Sequence, residues 1–108
     1  MFNPSGMSDF ADLASTVEIK PGDRVAQSAF RGEGVNTVLF AFDTDAGLAE
    51  HTAAHPVIIQ ALEGSILVTA DGREVTLEPG GFVHFTARLP HAVRALSPSK
   101  MLLFMLTG

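Results

Sequence analysis

A chain of 108 residues fits one domain, and at 46% apolar and 18% charged residues it is rich in apolar side chains for a small domain. No apolar run reaches the ~20 residues of a membrane span, and a net charge of −5 without a basic patch speaks against a nucleic-acid partner. The absence of cysteine excludes disulfides and thiolate chemistry, and Met1 to Asp9 lacks the basic start and apolar core of a secretory signal, so a cytoplasmic location is expected.

Residues 1–23 are expected to form a tail and residues 24–108 a single β-rich domain. In the tail, Ser8 or Asp9 is placed to cap a short helix over Phe10-Ala11-Asp12-Leu13-Ala14, with Phe10 and Leu13 on one face. Pro21-Gly22-Asp23 marks a turn. Beyond it, short apolar runs predict strands at Arg24–Phe30, Asn36–Phe42, Val57–Leu62, Ser65–Ala70, Arg73–Leu77, Phe82–Thr86, Ala92–Leu96 and Met101–Leu106. The breaks carry turn residues: Gly32-Glu33-Gly34, Asp43–Gly47, Glu63-Gly64, Asp71-Gly72, Pro79-Gly80-Gly81 and Ser97-Pro98-Ser99. Asp71-Gly72 between two alternating runs predicts a hairpin closed by a type I′ turn. Many short strands with Gly and Pro turns imply a sandwich or barrel. The apolar excess and the terminal run Met101–Leu106 further predict a homodimer, formed sheet to sheet or by strand exchange.

Two segments stand out. Gly47-Leu48-Ala49-Glu50-His51 and Leu89-Pro90-His91-Ala92-Val93 each bring a histidine, and Val57-Ile58-Ile59-Gln60-Ala61-Leu62-Glu63-Gly64 leads into the returning strand Ser65-Ile66-Leu67-Val68. In order and spacing, from about residue 24 to 106, these segments resemble a small single-domain cupin. The resemblance implies an all-β fold, a double-stranded β-helix or jelly-roll barrel of two sheets. It also implies a two-part metal signature, in which His51 is the first histidine, Gly64 the closing glycine and His91 the histidine of the second part. Two of the four implied ligand positions depart from that pattern, because Ala53 and Val57 stand there, and Thr86 and Arg88 stand where a Pro and a Gly are usual.

His51 and His91 are therefore the leading candidates to line a barrel cavity, since a neutral imidazole donates one hydrogen bond and accepts another. His55 is the candidate third nitrogen of a metal site with His51 and His91. Residues four apart in a strand lie ~13 Å apart at ~3.3 Å per residue, so this trio needs a bend at Ala53-Ala54. Such imidazole donors would suit one divalent ion among Zn, Fe, Ni, Mn and Cu. Gln60 is polar inside an apolar strand and is a further ligand-binding candidate. Period-2 alternation, however, sends it away from Val57 and Ile59 unless a bulge intervenes. Glu50 points opposite His51 in a regular strand. His84, Glu63, Arg88 and Arg94 read as packed or solvated side chains.

Three functions follow. One is a small cupin that binds a small molecule in its barrel through His51 and His91, with Gln60 as a further polar anchor. The alternative is a metal-dependent cupin enzyme, dioxygenase- or isomerase-like, with a non-standard histidine site. A third is a structural dimer whose barrel is simply filled. Ala53 and Val57 remove an imidazole and a carboxylate, which tilts the balance from chemistry toward binding.

Overall fold

The computed structural model describes residues 6–108. Nine strands build it: β1 (Arg24–Gly32), β2 (Val35–Phe42), β3 (Gly47–His51), β4 (Val57–Glu63), β5 (Ile66–Ala70), β6 (Arg73–Leu77), β7 (Phe82–Phe85), β8 (His91–Ala95) and β9 (Ser99–Leu106). They pair antiparallel in two sheets, ordered β1-β2-β9-β4-β7 and β3-β8-β5-β6. This is the expected jelly roll. Eight strands match the apolar runs. The ninth, β3, was not among them, because Gly47-Leu48-Ala49-Glu50-His51 carries only one large apolar side chain and gains its pairing from β8.

Alternation sorts the side chains between two layers. In β4, Val57, Ile59 and Ala61 are buried and the residues between them are half-buried. The inner faces of both sheets meet in one core that includes Phe40, Phe42, Val57, Ile59, Ile66, Val68, Phe85, Val93, Met101 and Leu103. A second, smaller cluster forms on the outer face of the five-stranded sheet, where Val17 covers Leu39, Ala41 and Leu102. Central strands β2 and β9 are thus covered on both faces, which explains why Leu39–Phe42 and Met101–Leu103 read as unbroken apolar runs.

The N-terminal segment reaches that outer face differently from the expected helix. A single 3-10 turn spans Leu13–Thr16, later in the chain than Phe10–Ala14, and Asp12 caps it without a side-chain hydrogen bond. The hydroxyls of Ser15 and Thr16 donate to the carbonyls of Asp12 and Leu13, three residues back, so local side-chain bonds close the turn. Lys100 Nζ donates to the Ala14 carbonyl at 2.7 Å and pairs with Glu63 at 3.6 Å, tying the segment to β9 and β4.

The predicted hairpin closes as expected, with φ of +54° at Asp71 and +69° at Gly72, the two positive values of a type I′ turn. Gly47 has a different task. A Cβ there would run into the backbone of Val93 and Arg94, so only glycine lets β3 approach β8 this closely. Strand β9 is hydrogen-bonded on both edges, to β2 and β4, within its own chain. Outside the area covered by Val17, the same sheet presents Ile58, Gln60, Phe82, Phe104 and Leu106. Phe82 is 64% exposed. Among the described residues no helix is long and apolar enough to cross a membrane.

The loop entering β3 is organised by one carboxylate. Asp43 accepts a hydrogen bond from the Gly22 amide at 2.6 Å and another from the Thr44 amide at 2.8 Å. The Gly22 bond first, then the Thr44 bond, holds the Asp43 carboxyl below its usual value of 3.8. A depressed folded-state pKa stabilises the fold above the unfolded value, and this contribution is lost as pH falls through the folded one. Asp43→Asn should therefore melt below the wild type near neutral pH, with the gap closing as the pH drops below about 4. Thermal melts across that range test this; a gap independent of pH would contradict it.

Candidate functional site

His91 opens β8 and His51 closes β3, and the two residues are cross-strand partners. Leu48 pairs with Val93 and His51 with His91, so Ala49 and Glu50 together oppose Ala92. That mismatch is a β-bulge. It matters because Leu48 and His51 are three apart: in a regular strand they would face opposite sides. The bulge turns both inward and leaves Glu50 exposed. His51 thereby meets His91 with ring centres 4.4 Å apart and an interplanar angle of 63°.

On its other side His91 lies against Phe85 of β7, ring centres 4.5 Å apart and planes within 11°. His91 is only 2% exposed. Each imidazole is held by a carbonyl two residues upstream: His51 Nδ1 lies 2.8 Å from the Ala49 oxygen and His91 Nδ1 2.9 Å from the Leu89 oxygen. A carbonyl oxygen only accepts, so each Nδ1 carries the hydrogen. In the neutral ring the remaining nitrogen, Nε2, is then a bare acceptor. Nε2 of His91 is buried, and among the described residues it is the one buried side-chain polar atom without a hydrogen-bond partner. An orphaned buried acceptor costs about 1–3 kcal/mol, so its persistence calls for a reason.

The loop before His91 is also strained. Arg88 has φ of +66°, left-handed backbone at the position where the resemblance expects glycine. Non-glycine residues adopt this region at a cost of about 1–2 kcal/mol. The Arg88 amide donates to the Ala53 carbonyl at 2.8 Å, which ties the loop before β8 to the segment after β3. That tie fixes the neighbourhood of the Leu89 carbonyl that holds His91.

A cavity of about 270 Å³ opens beside Phe85 and Leu89; neither His51 nor His91 is among its lining residues. Its apolar walls are Val68, Val75, Val83, Phe85 and Leu89 from β5, β6, β7 and the following loop, and the exposed Asp71, Arg73, His84 and Thr86 also line it. Phe85 and Leu89 therefore touch both the cavity and His91. The sequence did not single out either residue: Phe85 meets His91 only once the two sheets close, and Leu89 contributes its backbone. The Leu89-Pro90-His91 run was the available signal for the latter.

The other candidates separate. Gln60 lies on the outer face of the five-stranded sheet beside Ile58, Phe82, Phe104 and Leu106, not with His51 and His91. This corrects its reading as a ligand contact in the barrel; β4 alternates without a bulge between Val57 and Ala61, so the amide points away from the core. His84, paired with Ile58, is exposed and reaches the cavity only from outside. Arg94 makes an exposed ion pair with Asp45 at 3.2 Å.

The metal site implied by the resemblance is judged by its donors. Catalytic zinc sites, for instance, keep three protein ligands. His51 and His91 offer two Nε2 atoms. Ala53 packs on the core and Val57 is 2% exposed, and neither has a donor atom. The chain does bend at Ala54 and His55, yet no group of three His, Asp or Glu among the described residues stands close enough to hold an ion. His55 is thus not brought to His51 and His91, and the residues present do not fit a resident metal.

Comparison with known proteins agrees with this architecture. The cupin domain family model matches residues 38–107. A cupin superfamily protein from Desulfitobacterium hafniense superposes with a TM-score of 0.84 at 22% identity, covering 94% of each chain. A conserved protein of unknown function from Streptococcus pyogenes gives 0.83 at 20% identity, covering 94% of this chain and 90% of that one. The cupin domain of an XRE family transcriptional regulator from Enterobacter cloacae gives 0.70 at 22% identity, covering 79% and 97%. At these identities the likeness is one of fold. Among curated proteins, none matches the chain.

The sealed position of His91 has a chemical consequence. Diethylpyrocarbonate should modify the exposed His84 readily and leave His91 intact, as peptide mapping by mass spectrometry would show. Phe85→Leu, which removes the stacked ring, should render His91 reactive. Equal modification of His91 and His84 in the wild type would contradict the burial described.

Proposed function

The chain belongs to the cupin domain family, and we propose that it acts as a binding module that holds a small molecule inside its barrel through His91 and His51. The observation that carries this reading is the orphaned Nε2 of His91, on a ring packed between Phe85 and His51, with Phe85 also lining a mixed polar and apolar cavity. Ligand pockets combine apolar walls with a few well-placed polar atoms, and this arrangement has that composition. A purely structural histidine would be expected to have both ring nitrogens satisfied, since buried polar groups in settled cores are paired. The donor set argues against metal-dependent chemistry as the main activity. A cupin domain of similar fold belongs to an XRE family transcriptional regulator, and the fold itself does not select a function.

His91→Phe tests this. The substitution keeps a ring against Phe85, removes the orphaned acceptor and forfeits one hydrogen bond to Leu89. The first change gains about 1–3 kcal/mol and the second loses about 0.5–1.5 kcal/mol, so the variant should fold with stability near or above that of the wild type. It should no longer show the saturable rise in melting temperature that the wild type gives with small molecules matched to the cavity. A loss above about 3 kcal/mol, typical of a broken core network, would make His91 structural instead. Elemental analysis showing a full equivalent of bound metal, lost in His91→Phe, would overturn the binding reading in favour of the metal one.

A further inference from the structure

Two opposite charges line the cavity without pairing to each other. Resting on the reading of the barrel as a binding module, though not on which atom meets the ligand beside the histidines, we infer that this cavity takes a small zwitterion with an apolar tail. The chemical class is that of the apolar α-amino acids, with the carboxylate on Arg73 and the ammonium on Asp71. The cavity lies where the two sheets end: β6 and β7 are edge strands of separate sheets, and both line it.

The register of the hairpin places the two charges. Strands β5 and β6 pair Ile66 with Leu77, Val68 with Val75 and Ala70 with Arg73. Paired residues share a face, and Ala70 is in phase with the buried Ile66 and Val68. Arg73 therefore leaves its edge strand on the inner face, in phase with Val75 and opposite only the small Ala70. Asp71 joins it from the turn, and both line the cavity. Among the described residues neither side chain forms an ion pair, with the other or with any third group.

A monocarboxylate here would gain Arg73 and face Asp71, and a monoamine would meet the reverse. A zwitterion pairs both. The walls formed by Val75, Val83 and Phe85 then receive a hydrocarbon tail, which gains by leaving water. At about 270 Å³ the cavity falls just below the ~300–1,000 Å³ of drug-sized pockets, which suits a ligand as small as one amino acid. An inward charge on an edge strand also guards against pairing with another chain. That role accounts for Arg73 alone, requires no Asp71 and predicts no ligand.

Three probes share one phenyl tail: L-phenylalanine, hydrocinnamate with the carboxylate alone, and phenethylamine with the ammonium alone. Binding is followed by amide chemical shifts of residues 68–75 and 83–89 in the intact protein. L-Phenylalanine should bind saturably and about three- to fivefold more tightly than either analogue, since an exposed ion pair contributes little, and the gap should narrow as salt is added. Arg73→Gln should erase its advantage over phenethylamine. Asp71→Asn, which keeps a turn sequence suited to type I′, should erase its advantage over hydrocinnamate. Equal binding of all three probes, tightest binding of either analogue, or no saturable binding would overturn the inference. His91→Phe separates this inference from the histidine reading. L-Phenylalanine binding weakened by Arg73→Gln but kept in His91→Phe upholds the zwitterion site and removes the histidines from binding. Loss in His91→Phe, with Arg73→Gln and Asp71→Asn unchanged, upholds the histidines and overturns the zwitterion site.

Discussion

One pair of short hydrogen bonds governs what this barrel can do: each histidine of the facing pair spends Nδ1–H on a carbonyl two residues before it. These bonds orient the rings and place a hydrogen on each Nδ1, so that in the neutral imidazole the remaining nitrogen is an acceptor. They also turn Nε2 of His91 into a buried atom without a protein partner. If that pair were bonded the other way round, the same residues in the same fold would present donors, and the chemistry of the interior would reverse.

The fold is shaped to hold this arrangement at a cost. A bulge in β3 brings His51 to the same side as Leu48. Glycine at position 47 allows β3 to lie against β8. Arg88 takes a left-handed conformation, and its amide bonds to the Ala53 carbonyl, anchoring the loop that carries Leu89. Strained backbone next to an unsatisfied buried acceptor is the combination found where structure serves binding more than stability. In contrast, the apolar side chains at Ala53 and Val57 supply no donor to a metal, which leaves the two histidine nitrogens short of a coordination sphere.

Local signals in the sequence carried far. Asp71-Gly72 specified its own turn because both positive φ values are set by those two residues. Eight of the nine strands followed from short apolar runs between turn residues, and the period-2 alternation of β4 already directed Gln60 away from the barrel; assigning it a role there ran against its own phase. The resemblance identified His51 and His91 as a pair. What stayed hidden depends on distant partners. The bulge in β3 exists only against β8, some forty residues later, and the ring of Phe85 reaches His91 only across the closed barrel. The N-terminal turn moved to Leu13–Thr16 because Ser15 and Thr16 bond back to the backbone, which the expected cap at Ser8 or Asp9 did not anticipate.

The central claim is the acceptor state of the two rings, and long-range proton–nitrogen correlation spectra of the imidazoles report it directly. For the neutral imidazoles the account predicts a protonated Nδ1 and an unprotonated Nε2 on both His51 and His91. The other tautomer on His91, with its hydrogen on Nε2, would contradict it.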